Sequence, residues 1–369
     1  MIDDLVTALE GAYPELAAVR EAATEPVYLV GGAVRDLLLG RGRSDIDLVV
    51  EGDAAALAAG LGADAVQHER FATAKVRLDE HEVDIATARA ETYPHPGALP
   101  EVEPADIATD LARRDFTINA MAIPLRGEMG LLDPHGGRDD LEAGLLRVLH
   151  PRSFEDDPTR ALRAARYAAR FGFELEPETA ALLREAELRT VSNDRRQAEL
   201  LHIAAEPEAP RALELLTAWK LVGVQEEGVT LAARMAELLA KRPWRSAVDR
   251  DRAVLAAALD PPGREMQLVS ARPASPSEAV ELARAFAPAD LAMARVRGAE
   301  WLDDYVGAWS DVALEIDGAD LISAGVPEGP SVGRGLAEAL RRKLDGEVAG
   351  REQELEAALE AARSDDGLA

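Results

Sequence analysis

The sequence has no cysteine. Disulfides, thiolate zinc sites and a cysteine nucleophile are thereby excluded, and any metal must be held by oxygen or by histidine. Aromatic residues are scarce at 4%, against 47% hydrophobic residues overall, so the cores are expected to be aliphatic and largely helical. No stretch approaches about 18 uncharged apolar residues, and no membrane partner is expected. The opening MIDDLVTALEGAYPEL lacks a basic segment followed by an apolar one; a cytoplasmic location is the expectation. Positive charge is in deficit as well, with 41 Lys and Arg against 68 Asp and Glu and a formal net charge of −27. Such a balance argues against nucleic acid, since counterion release rewards a basic surface, and no DNA partner is expected. The cations are nevertheless clustered, at Arg113-Arg114, at Arg160, Arg163, Arg166 and Arg170, at Arg195-Arg196 and at Arg341-Arg342-Lys343. Each cluster reads either as part of a basic groove on an acidic body or as a solvated helix face.

A length of 369 residues suggests two or three domains. Periodicity changes once, near residue 150. Before it, β-rich runs (Val27-Val30, Ile46-Val50, Lys75-Leu78, Val83-Thr87) alternate with helical stretches such as Ala54-Leu61, the pattern of a mixed α/β domain. After it, Arg160-Arg170, Thr179-Leu188, Arg195-Ala205 and Ala209-Trp219 carry the i, i+3, i+4 spacing of helices. Pro261-Pro262, Pro273 and Pro276 interrupt this helical half. The last dozen residues, ending SDDGLA, read as a frayed end.

Residues 28–50, YLVGGAVRDLLLGRGRSDIDLVV, place two glycines ahead of a paired-aspartate strand. With Ile46-Val50 as a strand, alternation puts Asp45 and Asp47 on one face and Ile46 and Leu48 on the core side. Two carboxylates meeting at one point suit Mg²⁺, which takes a few carboxylates and completes its shell with phosphate oxygens. Upstream, Gly31-Gly32 leaves backbone N–H groups open at the start of a helix, where an anion is favoured, and Arg35 is one turn away from the same phosphates. In HEVDIATARAE, Val83 and Ile85 face the core and leave Asp84 on the polar face, as a third carboxylate or as an ordinary solvent-facing strand residue.

Four segments carry a family resemblance. GGAVRD with SDIDLVV resembles the metal and triphosphate motif of the class II tRNA nucleotidyltransferases and bacterial poly(A) polymerases. RRDFTINAMA (113–122) resembles their ribose-handling motif, DPHGGRDDLEAGLLRVL (133–149) the flexible element between head and neck, and EDDPTRALRAARYAARFGF (155–173) the neck helix that selects the incoming base. The resemblance implies an α+β chain: a polymerase-β-like head with a mixed β-sheet at 1–150, then an all-α neck at 151–220, body at 221–305 and tail at 306–369. It also implies a Mg²⁺-dependent enzyme that adds CMP and AMP from CTP and ATP to the 3′ end of tRNA. Within the family the product is CCA, CC alone, the terminal A alone or a poly(A) tail. A nucleotide- or RNA-binding protein without turnover is the alternative, and transfer to a small molecule is a further one that the long helical half does not suit.

In RRDFTINAMA, Arg113 and Arg114 offer phosphate contacts, while Asp115 and Asn119 can hydrogen-bond ribose hydroxyls. The same run also reads as a helix start capped by Asp115, with Phe116, Ile118 and Met121 in the core. Family enzymes carry Glu-Asp-x-x-Arg in the neck, and this chain has Asp156 in place of the Glu. Asp157 and Arg160, three residues apart, share a helix face. The Asp157 carboxylate accepts from an exocyclic amino group and the Arg160 guanidinium donates to the adjacent ring nitrogen, an edge that cytosine and adenine both present. Guanine and uracil set a carbonyl against the carboxylate, and a site built of buried polar groups rejects such a mismatch steeply. Asp157 before Pro158 is equally an N-cap followed by Pro at N1. Arg163, on the same helix, joins the expected nucleotide-binding set. Arg195 and Glu199 match charged positions of the closing neck motif and are expected to pair with each other. Near Gly333, the tail reads as a phosphate-binding helix start or as a well-capped helix hairpin.

Overall fold

The computed structural model describes residues 2–41, 43–62, 66–68, 73–78 and 80–363. The chain divides into two compact units, Met1–Gly223 and Val224–Ala369. The first is built on a six-stranded mixed sheet, as the resemblance implies. Its strands are β1 (Val27–Val30), β2 (Ile46–Val50), β3 (Val66–His68), β4 (Thr73–Leu78), β5 (His81–Thr87) and, after a separate hairpin of β6 (Arg89–Thr92) and β7 (Glu101–Pro104), β8 (Ala122–Pro124). The order across the sheet is β3-β4-β5-β2-β1-β8.

Alternation decides which face of this sheet is core. Leu29, Ile46, Leu48, Val83 and Ile85 are buried in one aliphatic cluster with Leu9, Leu16 and Val19 from the N-terminal helices Ile2–Ala12 and Leu16–Ala22. Val30, Val49 and Ala88 face a second cluster with Leu111 and Ala120. Where β1, β2 and β8 adjoin, the sheet is therefore apolar on both faces, whereas β4, β5 and the start of β2 leave one face polar. The β6–β7 hairpin was not foreseen, because its strands RAET and EVEP have no fully buried residue and carry no period-2 apolar signal.

Helix Thr159–Phe171 buries a face of Ala161, Leu162, Ala164, Ala165, Ala168 and Ala169 and stops at Gly172, whose φ of +70 closes the last turn. Of the chain's six Phe and five Tyr, four cluster here. Phe116 meets Tyr167 edge to face at 5.9 Å, and Tyr167, Phe171 and Phe173 follow in series. The scarce aromatic side chains are thus spent where the sheet meets this helix.

The second unit is helical. Its C-terminal helices Pro330–Leu344 and Gly350–Arg363 approach so closely that a Cβ on Gly335 would lie 2.6 Å from the Ala358 carbonyl oxygen. Helix Gly350–Arg363 runs on through half of the expected frayed end, and the SDDGLA stretch itself lies outside the described residues. The tail cations are engaged internally: Arg341 and Arg342 bond Glu338, Arg342 also reaches Glu360, and Lys343 pairs with the fully buried Glu354. Gly333 lies in the first turn of its helix, behind the N-cap Gly329. Among the described residues, no helix is long and apolar enough to cross a membrane.

Candidate active site

Strands β2 and β5 are parallel neighbours, and their register sets Asp47 beside Asp84. With Ile46, Leu48, Val83 and Ile85 buried on the core side, both carboxylates fall on the opposite face. Asp45 precedes β2 by one residue and acts on Asp47 through space. Packing around the Asp47 carboxyl, reinforced by Asp84 and Asp45 against the relief of Arg114 and Lys75, pushes it up to about 6. Lys75, on the neighbouring β4, reaches Asp84 at 3.2 Å. The donor set is all oxygen, mutually repelling and only partly relieved by cations, which fits a hard divalent ion such as Mg²⁺. Among the described residues no group of three or more Asp, Glu or His closes into a metal cage; water and substrate oxygens would complete the shell. Asp45 and Asp47 open onto a cleft of about 410 Å³ that Gly32, Arg35, Arg43 and Arg170 also line.

Gly31 precedes helix Gly32–Leu38 with φ +67, and a Cβ there would sit 2.9 Å from Arg114 Nη1. Backbone conformation and the close guanidinium both require glycine at this position. Arg35, expected at the phosphates, is 4% exposed and engaged on two of its three nitrogens. Nε donates to Asp36 at 2.9 Å and Nη1 to Asn119 Oδ1 at 2.6 Å, while its guanidinium lies 4.6 Å from the centroid of Phe171. Nη2 remains beside Gly32, 3.4 Å from where a Cβ would stand. Arg114 donates to Asp110 Oδ2 from Nε and Nη2, and Arg113 to Asp110 Oδ1. Asp110 has no exposed surface and orients both arginines. It was missed, although the spacing DLARR, with carboxylate three and four residues ahead of two cations on a helix, is the available signal.

Asp115 and Asn119 lie together, with Asn119 Nδ2 donating to Asp115 Oδ1 at 3.0 Å and the Phe116 N–H to the same oxygen at 2.9 Å. Burial alone would raise the Asp115 carboxyl. The Arg163 guanidinium, the Asn119 amide, Arg160 and the Phe116 N–H outweigh it and hold the group below the ordinary carboxylate range. The sequence left ribose contact and local capping as alternatives; Asp115 receives a local N–H and the Asn119 amide, and Phe116, Ile118 and Met121 are fully buried.

Arg163 is the hub of the neck. Its three nitrogens face Asp115 at 3.3 Å, Asp157 at 3.2 Å and Glu199 at 3.5 Å. Asp157 Oδ1 accepts from the Thr159 N–H, the Thr159 hydroxyl and Arg195 Nη2, at 3.1, 2.6 and 2.8 Å; Oδ2 accepts from Arg163. Burial works to raise this carboxyl too, and Arg163, the Thr159 hydroxyl, Arg195 and Arg160 together hold it low. The helix begins at Thr159 with Pro158 as its N-cap, so Asp157 stands one residue ahead of the N-cap rather than at it as expected, although its Oδ1 takes the first helical N–H. Arg160, 3% exposed, donates from Nη1 to the Ser153 hydroxyl at 2.7 Å and from Nη2 to the Arg113 carbonyl at 2.6 Å. Its Nε is buried with no hydrogen-bond partner. Arg195 and Glu199 do not pair with each other as expected: Arg195 spans Asp157 and the Gly97 carbonyl, and Glu199 meets Arg163. Each side chain points across to helix Thr159–Phe171, where buried opposite charges offer more than an exposed i, i+4 neighbour.

One hydrogen-bonded and ion-paired path thus runs Asp36, Arg35, Asn119, Asp115, Arg163, Asp157, Arg195, beside the carboxylates of β2 and β5. The comparisons with known proteins follow the same outline. Residues 27–147 match the Poly A polymerase head domain. The CC-adding tRNA nucleotidyltransferase of Deinococcus radiodurans is 37% identical over 342 residues, which cover 88% of this chain and 87% of that protein. The chain belongs to the tRNA nucleotidyltransferase family. An A-adding tRNA nucleotidyltransferase of Geobacter sulfurreducens is 33% identical over 410 residues, covering 95% of this chain and 47% of that protein. The chain spans between 25% and 47% of the length of three such A-adding relatives. A CCA-adding enzyme solved in an apo form superposes with a TM-score of 0.80 at 29% identity, covering 96% of this chain and 98% of that one. For a tRNA nucleotidyltransferase, then, the sequence-named residues fall into two groups. Asp45, Asp47 and Asp84 stand at or beside the parallel strands β2 and β5; Arg35, Arg114, Asn119, Asp115, Arg163 and Asp157 are joined by hydrogen bonds and ion pairs, Gly31 and Gly32 stand against Arg114 and Arg35, and Arg160 bonds Ser153 and the Arg113 carbonyl.

Proposed function

We propose that this nucleotidyltransferase adds CMP and AMP from CTP and ATP to the 3′ end of tRNA, without a nucleic-acid template, as a CCA-adding enzyme. The observation that carries the proposal is the buried Arg160 Nε left without a partner, on the same helix turn as the Asp157 carboxylate. The Arg160 donor together with the Asp157 carboxylate would complement the amino and ring-nitrogen edge common to cytosine and adenine. In this reading residues 1–150 are the catalytic head, 151–220 the base-selecting neck, 221–305 a helical body and 306–369 a tail that binds tRNA.

The RNA 3′-hydroxyl attacks the α-phosphorus, forming a phosphodiester and releasing pyrophosphate. Asp45 and Asp47, with Asp84 alongside, would hold Mg²⁺ in a two-metal arrangement, which lowers the pKa of an attacking hydroxyl and stabilises charge on the leaving group. Gly31 and Gly32 offer open backbone N–H groups to the β- and γ-phosphates, and Arg35 Nη2 and Arg114 Nη1 stand beside them. Asp115 and Asn119 face the ribose hydroxyls. Arg163 ties this sugar contact to Asp157, so that the base is read in fixed register with the sugar. A second reading, a partial activity, is favoured by the relatives: CC addition alone by the CC-adding one and addition of the terminal A alone by the A-adding ones.

The test offers Mg²⁺ and tRNA transcripts ending at the discriminator base, at −CC and at −CCA, with each nucleoside triphosphate separately and then CTP with ATP. Ordered C, C, A addition that stops is the expected result. C added only to the shortest transcript, or A added only to the −CC transcript, establishes a partial activity, extended A tracts make the enzyme a poly(A) polymerase, and no incorporation on any transcript overturns the proposal.

A further inference from the structure

The N-terminal helices belong to none of the motifs above and lie outside the matched head at 27–147. Between them stand Tyr13 and Glu15, 2% and 7% exposed. Asp45, by contrast, stands just outside the sheet: pairing of β2 with β5 begins at Ile46, and pairing with β1 covers Leu48 to Val50. No strand register fixes its backbone. The residues immediately before it do, and they are gripped from the N-terminal segment.

The grip has two parts. The Ser44 N–H donates to the Tyr13 hydroxyl at 3.3 Å, and the Ser44 hydroxyl lies 3.4 Å from the same oxygen. Arg43 lies over the Tyr13 ring at 5.2 Å, donates from Nη1 to the Ala12 carbonyl at 3.1 Å and to Glu15 Oε2 at 3.3 Å, and pairs with Glu15 through Nη2. Arg43 also lines the cleft that holds Asp45 and Asp47. Its cation stands at the wall of that cleft, and Glu15 keeps it occupied.

We propose that Tyr13 and Glu15 are positioning residues for the metal-binding aspartate pair: Tyr13 fixes the Ser44-Asp45 backbone, and Glu15 withholds the Arg43 guanidinium from the carboxylates. The inference rests on the metal-dependent reading of Asp45 and Asp47 given above. It makes the N-terminal helices part of the active site rather than an appendage to the head, and it assigns them an effect on cation affinity that base and sugar selection do not share.

The test is Mn²⁺ binding to the full chain, read by the loss of the free-ion electron paramagnetic resonance signal, so that turnover is not needed. Tyr13→Phe is expected to weaken binding about tenfold, the low end of what removing a support behind a metal ligand costs. Glu15→Gln is expected to weaken it at least as much, and Glu15→Gln combined with Arg43→Gln to recover part of the loss. Arg20→Gln, which breaks only the Arg20–Glu10 pair elsewhere on these helices, leaves affinity unchanged. Parental affinity in both Tyr13→Phe and Glu15→Gln overturns the proposal, and failure of the double variant to recover overturns the role given to Arg43. If the parent binds no Mn²⁺, or Asp45→Asn binds it as the parent does, the metal reading itself falls, a result distinct from the other two.

Discussion

Arg163→Met removes the cation that three carboxylates share and keeps most of its volume. The side chains of Asp115, Asp157 and Glu199 are 12%, 10% and 15% exposed, and Arg163 itself 24%, so solvent does little to replace the lost charge. Removing one partner of a buried pair costs about 3–5 kcal/mol. Arg195 still serves Asp157, and the Asn119 amide still serves Asp115, which sets the expectation near the lower end, about 3 kcal/mol at pH 7.5. The pH dependence gives the reasoning a second handle. In the parent, Asp115 and Asp157 are held below the usual carboxylate range; their contribution is complete above the unfolded value near 4 and is lost only as pH falls through the lower folded values. In the variant, burial is opposed by one cation fewer, so both carboxyls move up and take up protons at a higher pH than in the parent, which relieves the repulsion. Urea unfolding followed by hydrogen exchange in peptides from residues 153–205 reads this unit separately. A cost under about 1 kcal/mol at pH 7.5, the size of an exposed ion pair, or an equal cost at pH 5, would refute the account.

The remaining predictions concern single positions. Because the Asp47 carboxyl is pushed up to about 6, a cation must displace a proton below that pH; Mn²⁺ affinity is expected to fall about tenfold for each further unit, measured by titration from pH 7.5 to 5. Gly137→Ala places a Cβ 2.1 Å from the Thr117 carbonyl oxygen and pushes apart the segments joined by the Thr117–Asp140 hydrogen bond of 2.7 Å. Overpacking of this kind costs about 1–3 kcal/mol, visible as a lower urea midpoint. Asp115→Ala is expected to narrow the preference for ribo- over deoxynucleotides in single-turnover incorporation while leaving the C and A preference over G and U largely intact.

The sheet and the paired aspartates were legible because strand alternation is a local property: Ile46 and Leu48 inward dictates Asp47 outward. Helix Thr159–Phe171 was legible over Arg160–Arg170 from its i, i+3, i+4 spacing, which is local in the same way. Who pairs with whom was not. Arg195 and Glu199 are i, i+4 neighbours, and spacing favours their pairing, yet both reach across to residues 157 and 163, which only the tertiary packing brings near. Asp110 escaped notice because a lone helix Asp looks solvated until the arginines three and four residues on fold back over it. The tail cluster Arg341-Arg342-Lys343 looked available for RNA, but the acidic excess of the chain is partly spent on it, since Glu338, Glu354 and Glu360 take those charges.

The side-chain amide of Asn119 has a consequence of its own. It presents oxygen to Arg35 and nitrogen to Asp115, so a cation and an anion are kept in step without touching. Each already has its counter-charge, Arg35 in Asp36 and Asp115 in Arg163, so the amide joins two ion pairs rather than completing one. A neutral link with a donor at one end and an acceptor at the other transmits position while insulating charge. Neither Asp nor Leu can do this: the first supplies no donor toward Asp115 when ionised, and the second offers neither a donor nor an acceptor.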